Sequence, residues 1–192
     1  MRNDERLRTI YEVMAPYIVR NEHNWRDYLA FASQFHKHSF DNILLVYAQD
    51  EDVSILATRK QWAAIGRNLI PRAKGVAVCV YRNAKLTLDY LFDVSQTTGK
   101  EIHPTDWQLS DEMKEALTER LSYAHGFPKQ GFSQALYALA SESVADNYNH
   151  FLQELKQETK GHLFTEIPAG GFEAQYIQLL TDSISYFIGK KC

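Results

Sequence analysis

Apolar residues recur at helical spacing from the start of the chain. Leu7, Ile10, Tyr11 and Met14 lie three and four apart, which predicts a first helix that Pro16 kinks or ends. Trp25, Tyr28, Leu29, Ala32 and Phe35 make a second stripe, and Asn21 or Asn24 can cap its start. Ser39 suits the N-cap of a third, short helix with Phe40, Ile43, Leu44 and Tyr47 on one face. Thr58-x-x-Gln61 has the form of a capping box, and Gly66 stands where a helix would stop, so residues 59–65 read as a fourth helix.

The period changes to two over residues 76–94. Val76, Val78 and Val80 alternate, then Leu86, Leu88, Tyr90, Phe92 and Val94 alternate after Arg82-Asn83-Ala84-Lys85, which reads as the turn of an antiparallel hairpin. A short strand is expected near Val53–Ala57. Beyond Thr97-Thr98-Gly99-Lys100 the pattern is helical again. Ser110, followed by Asp111 and Glu112, starts a helix that runs to about Ala124 and closes at Gly126. A longer one carries Leu136, Leu139, Ala140, Val144, Tyr148, Phe151 and Leu155, and the last runs from Phe172 to Gly189. The expected fold is α+β, with N-terminal helices packed on a small antiparallel sheet over residues 1–100. An all-helical extension over residues 101–192 is expected to pack on it, with the boundary near Gly99–Pro104.

Composition narrows the class. With 192 residues, 45% hydrophobic and 23% charged, the chain can bury a core, and wholesale disorder is excluded. No apolar run reaches the ~18 residues of a membrane span, and the start MRNDERLR lacks the apolar core of a signal peptide. Cys79 and Cys192 are too few for a disulfide framework, so a cytoplasmic setting without membrane partners is expected.

The net charge of −3 hides an asymmetry. Residues 1–52 hold six basic and nine acidic groups, and residues 89–192 hold eight and fifteen. Between them, residues 53–88 hold seven cations (Arg59, Lys60, Arg67, Arg72, Lys74, Arg82 and Lys85) and no acid. Such a segment makes a field that an anionic polymer would feel.

The usual catalytic signatures are missing. No His-Glu-x-x-His occurs; His36 and His38 are two apart, on different faces of a helix, and the other histidines are scattered. Neither a phosphate-binding Gly-x-x-x-x-Gly-Lys-Ser/Thr nor a Gly-x-Ser-x-Gly elbow is present. Cys79 sits among valines as a small hydrophobe, and Asp89 and Asp93 share one strand face as ordinary decoration. No enzyme, metal or cofactor is expected.

Concentrated chemistry lies instead between Trp25 and Thr97. Binding a single nucleic-acid strand needs cations along the phosphates and flat groups under the bases. Arg59, Lys60, Arg67, Arg72, Lys74 and Arg82 are the expected phosphate contacts, and Tyr81 the expected stacking residue. Lys74-Gly75 lets backbone approach a ligand closely. Gln96 is an expected polar contact. Asn42 and Gln49, seven apart on one helix face, either do the same or satisfy buried backbone groups. Trp25 and Trp62, on helices with apolar neighbours, are expected in the core rather than as stacking platforms, and Tyr47 on the buried face of its helix.

Several of these residues resemble a known family. Trp25–Leu29 and His38-Ser39-Phe40-Asp41-Asn42-Ile43-Leu44-Leu45-Val46-Tyr47-Ala48-Gln49 resemble the first motif of the N-terminal domain of ArdC-like antirestriction proteins. Ala57-Thr58, Gln61-Trp62, Gly66-Arg67 and Lys74-Gly75-Val76-Ala77-Val78 follow at similar spacing, and Phe92-Asp93-Val94-Ser95-Gln96-Thr97 is similar to its closing motif. The likeness covers residues 20–98. It implies single-stranded DNA binding, largely without sequence specificity, in a protein of a plasmid or conjugative element, with further domains of a longer parent protein as partners. The metallopeptidase-like part of that family, with its His-Glu-x-x-His, has no counterpart here, and Asp50-Glu51-Asp52-Val53 departs from the family's loop. The alternative reading is an interaction or regulatory module whose basic face docks an acidic partner, or the acidic helical half of its own chain.

Overall fold

Short polar side chains set the helix starts. In the computed structural model, residues 3–82, 85–102, 108–127, 131–158 and 171–192 are described. Asn21 accepts the Asn24 amide at 2.9 Å and opens α2 (Glu22–Gln34), and Ser39 accepts the Asn42 amide to open α3 (Phe40–Gln49). Thr58 and Gln61 bond each other's backbone amides, a reciprocal cap on α4 (Arg59–Ala64). Ahead of these, α1 (Asn3–Ile18) runs two residues past Pro16, whose missing N–H falls in its last turn.

The chain divides into two compact units, Met1–Asp106 and Trp107–Cys192. The first is an α+β unit. β3 (Val76–Arg82) and β4 (Lys85–Asp93) form the antiparallel hairpin, and β1 (Leu56–Ala57) joins the other edge of β4, giving the order β1-β4-β3. The turn residues Asn83 and Ala84 lie outside the described residues, as do His103 and Pro104. A second, two-stranded sheet pairs β2 (Arg67–Leu69) with β5 (Thr97–Gly99). These three-residue strands are too short for alternation to reveal them.

Register decides which face of the hairpin is wet. Arg82 stands opposite Lys85 and Val76 opposite Leu91, so even-numbered residues of β3 face the same way as odd-numbered residues of β4. Val76, Val78, Leu91 and Asp93 are buried on that face. The other apolar stripe of β4, Leu86, Leu88 and Tyr90, therefore shares the opposite face with Ala77, Cys79 and Tyr81.

The core gathers Ile18, Tyr28, Leu44 and Trp62, each almost completely buried. Burial of an aliphatic side chain such as Ile18 or Leu44 contributes roughly 1.5–3 kcal/mol. Trp62 also donates its indole N–H to the Phe92 carbonyl at 2.8 Å, which fixes α4 to the sheet. Trp62 is thus a core residue, while Trp25 and Tyr47 are half-buried.

The second unit is helical, with α5 (Asp111–His125), α6 (Phe132–Glu158) and α7 (Phe172–Lys191). Ser110 caps α5 and Gly126, in the left-handed region, ends it. α6 packs against both neighbours, burying Ala135, Leu136, Ala140, Val144 and Tyr148. Phe151 stacks on Tyr176 with ring centroids 4.3 Å apart. Among the described residues no helix is long and apolar enough to cross a membrane.

Candidate nucleic-acid interface

β3 is an outer strand, and an outer strand leaves backbone donors and acceptors to be satisfied. α3 supplies the partners. The Asn42 side chain accepts the Cys79 N–H at 2.7 Å and donates to the Cys79 carbonyl at 2.8 Å. Gln49 does the same at Ala77, both bonds at 2.9 Å, and spends its second amide hydrogen on the Leu45 carbonyl. Residues 77 and 79 point their backbone groups to the same edge, and positions 42 and 49 point to the same helix face. Both amides therefore serve backbone at a strand edge, the second of the two uses expected of them, and neither is held out to a ligand.

Two of the expected phosphate contacts are also engaged internally. The Arg67 guanidinium donates to Thr97 Oγ1 at 2.7 Å, to the Thr97 carbonyl at 3.0 Å and to the Lys100 carbonyl. It ties β2 to β5, and its planar fork is used on backbone rather than held out to solvent. Arg82 lies on the face opposite Tyr81 and bridges Asp89 at 2.6 Å. Its charge is already matched. Gln96 is half-buried, and its side-chain oxygen has no hydrogen-bond partner among the described residues.

Other cations are free. Arg59 and Lys60 are exposed on the first turn of α4, Arg72 and Lys74 on the loop before β3, and Lys85 at the start of β4. Among the described residues, no carboxylate lies within 4.0 Å of any of these five. Arg72 holds a positive φ of 63°, uncommon for a residue with a Cβ.

One face of the hairpin is open. Tyr81 is 79% exposed, Tyr90 51% and Leu86 48%, with Leu88, Cys79 and Ala77 half-buried between them. Four residues of strand separate the levels of Tyr81 and Tyr90, about 13 Å. Tyr90 was missed by reading residues singly; the even–odd pairing across the turn is the signal that would have found it. Gly75 has a different use from the one expected. A Cβ there would stand 3.0 Å from Tyr90 Cβ and from Phe92 Cζ, so the missing side chain makes room for β4 rather than for a ligand.

Asp93 holds the base of the hairpin. One oxygen accepts the Ser54 and Ile55 amides at 2.7 and 3.0 Å and the other the Ser95 amide at 2.8 Å. Burial pushes its pKa up, but the bonds from Ser95, Ser54 and Ile55 outweigh that and leave the carboxyl below its ordinary value. Asp93 is thus an organising residue rather than decoration. Burial, with Asp41 nearby, raises the Cys79 thiol and keeps it protonated. Among the described residues no three of His, Cys, Asp and Glu gather as a metal site would require.

Comparison with protein-family models, with curated proteins and with solved structures finds no match for this chain.

Proposed function

We propose that the first unit binds single-stranded DNA, largely without sequence preference, through the open face of the β3–β4 hairpin. The observation that carries the reading is an exposed sheet face with two tyrosines, in a unit whose exposed cations Arg59, Lys60, Arg72 and Lys74 have no carboxylate within 4.0 Å among the described residues. Tyr81 and Tyr90 offer two platforms for unpaired bases, and Arg72 and Lys74, on the loop that leads into β3, offer charge to the phosphates. Arg59 and Lys60 support it in another way. Cations in the first turn of a helix oppose its dipole, so nothing in the fold itself recommends them there. The likeness of residues 20–98 to ArdC-like domains points in the same direction on its quoted motifs alone, and it adds a mobile-element protein of the cytoplasm as the setting.

The reading differs from one built on charge alone, because Asn42, Gln49, Arg67 and Arg82 drop out of the surface and Tyr90 enters it. Titration of a labelled oligonucleotide by fluorescence anisotropy tests it. Affinity should fall steeply with salt and depend little on sequence. An absence of binding at low salt sinks the idea. A protein partner on the same apolar face would leave the oligonucleotide unbound.

A further inference from the structure

The loop ahead of β3 contains a turn whose backbone disagrees with its side chain. The Ala73 N–H donates to the Ile70 carbonyl at 3.2 Å, which closes Ile70-Pro71-Arg72-Ala73 as a β-turn. Pro71 suits the second position, and Arg72 fills the third with a φ of 63°. A positive φ there marks a type II turn, in which glycine or asparagine is favoured. A Cβ in this left-handed region crowds the following carbonyl oxygen, so arginine costs stability that glycine would not. Among the described residues five glycines take a positive φ, and Arg72 is the one residue with a Cβ that does.

No contact of the side chain offsets this. Arg72 is exposed, and among the described residues its guanidinium has neither a hydrogen-bond partner nor a carboxylate within 4.0 Å. The frame around the turn is fixed at both ends. The Ile70 N–H donates to the Gln96 carbonyl at 3.0 Å, and Gly75 lies against Tyr90 and Phe92 of β4. A strained residue held by such a frame, with no internal use for its side chain, points to a ligand. Lys74, two residues on, is exposed without a positive φ and needs no such account. Three residues of chain, at most about 11 Å, separate Arg72 from Gly75, where an added Cβ would stand 3.0 Å from Tyr90 Cβ. Arg72 therefore stands at the Tyr90 end of the open face rather than the Tyr81 end. Resting on the reading of that face as a single-strand site, we infer that Arg72 is kept in this turn, against the preference of the backbone, to grip a phosphate of the bound strand.

Arg72→Gly and Arg72→Asn relax the turn and remove the charge, so stability and binding should not fall together. In thermal unfolding of the full chain both variants should melt no lower than wild type, and by up to about 2–4 °C higher. Anisotropy titrations of a labelled oligonucleotide are run between roughly 20 and 200 mM salt. Both variants should bind roughly tenfold more weakly at low salt. Both should also lose about 0.7 from the slope of log affinity against log salt, the share of one single-strand phosphate. Arg72→Lys keeps the charge and the strained backbone, and should keep the wild-type melting temperature and slope. A melting temperature lowered in both relaxed variants assigns the side chain to the fold and overturns the inference without any nucleic acid. A wild-type slope in Arg72→Gly overturns it too, as does a slope lost in Arg72→Lys. Wild-type protein that leaves the oligonucleotide unbound at low salt overturns the reading of the open face itself, and this inference with it.

Discussion

The Asn42 side chain and the Cys79 peptide exchange two hydrogen bonds, 2.7 and 2.8 Å, in the manner of a neighbouring strand. A helix side chain thus completes the outer edge of a sheet, and Gln49 repeats the arrangement at Ala77. Asn42→Ala leaves one N–H and one carbonyl without partners in a half-buried place, which should cost about 1–3 kcal/mol. Urea denaturation reads that loss. Affinity of the remaining folded protein for an oligonucleotide should be unchanged, because the amide is not part of the proposed surface.

Tyr81→Ala and Tyr90→Ala should behave in the opposite way. Each removes an exposed ring, so the melting temperature should hardly move. If the rings carry bases, each substitution should weaken binding by about 1–3 kcal/mol, roughly five- to 160-fold. Anisotropy titrations at one fixed salt concentration measure it. Phenylalanine at either position should retain most of the affinity, since stacking needs the ring and not the hydroxyl.

Arg67 and Lys74 separate fold from ligand. Lys74→Ala should leave stability intact and lower the slope of log affinity against log salt by about 0.7, the contribution of one single-strand phosphate. Arg67→Ala should instead destabilise the β2–β5 pair by about 1–3 kcal/mol per charged bond group lost. The slope of its folded fraction should match wild type. A shared loss of slope in both variants would place Arg67 on the ligand after all.

Asp93 should make stability depend on acid. Its pKa is lower in the folded chain than in the unfolded one, so its stabilisation is complete above the unfolded value, about 3.9. It is lost as pH falls through the folded value. Asp93→Asn puts an amide donor where carboxylate oxygens accept three backbone amides. The wild-type advantage over this variant, by chemical denaturation, should be largest near neutrality and shrink below about pH 4.

Gly99 cannot take a side chain. Its φ is +133° and an added Cβ would meet the Gly66 carbonyl oxygen, with Arg67 Cα at 3.0 Å. Gly99→Ala should cost several kcal/mol, of the order of 1–3 from backbone strain alone. It should loosen the strand that carries Arg67's partners, visible as faster amide exchange at Ile70 and Lys100, which donate across the pair to the Gln96 and Gly66 carbonyls.

How much of this was legible beforehand depends on the range of the interaction. Caps at Asn21, Ser39, Thr58 and Ser110 act over three residues and could be read from spacing. So could the hairpin, whose alternation spans many residues, and with it the α+β class. The second sheet could not, because Arg67–Leu69 meets Thr97–Gly99 across thirty residues and neither segment shows a period. The same distance hid the use of the polar groups. Asn42 finds Cys79 thirty-seven positions on, and Arg67 finds Thr97 thirty on. A local reading sees a charge or an amide without its partner and offers it to solvent.

The pairing of Arg82 with Lys85 has a consequence for variation in length. Two residues separate them, and that even number is what sends the tyrosines of both strands outward together. One residue inserted there, with β3 held by α3, would slide every β4 side chain through the sheet. Asp93 would leave its three amides, Tyr90 would be forced inward, and the tolerance of this loop to single insertions should be far lower than to insertions of two.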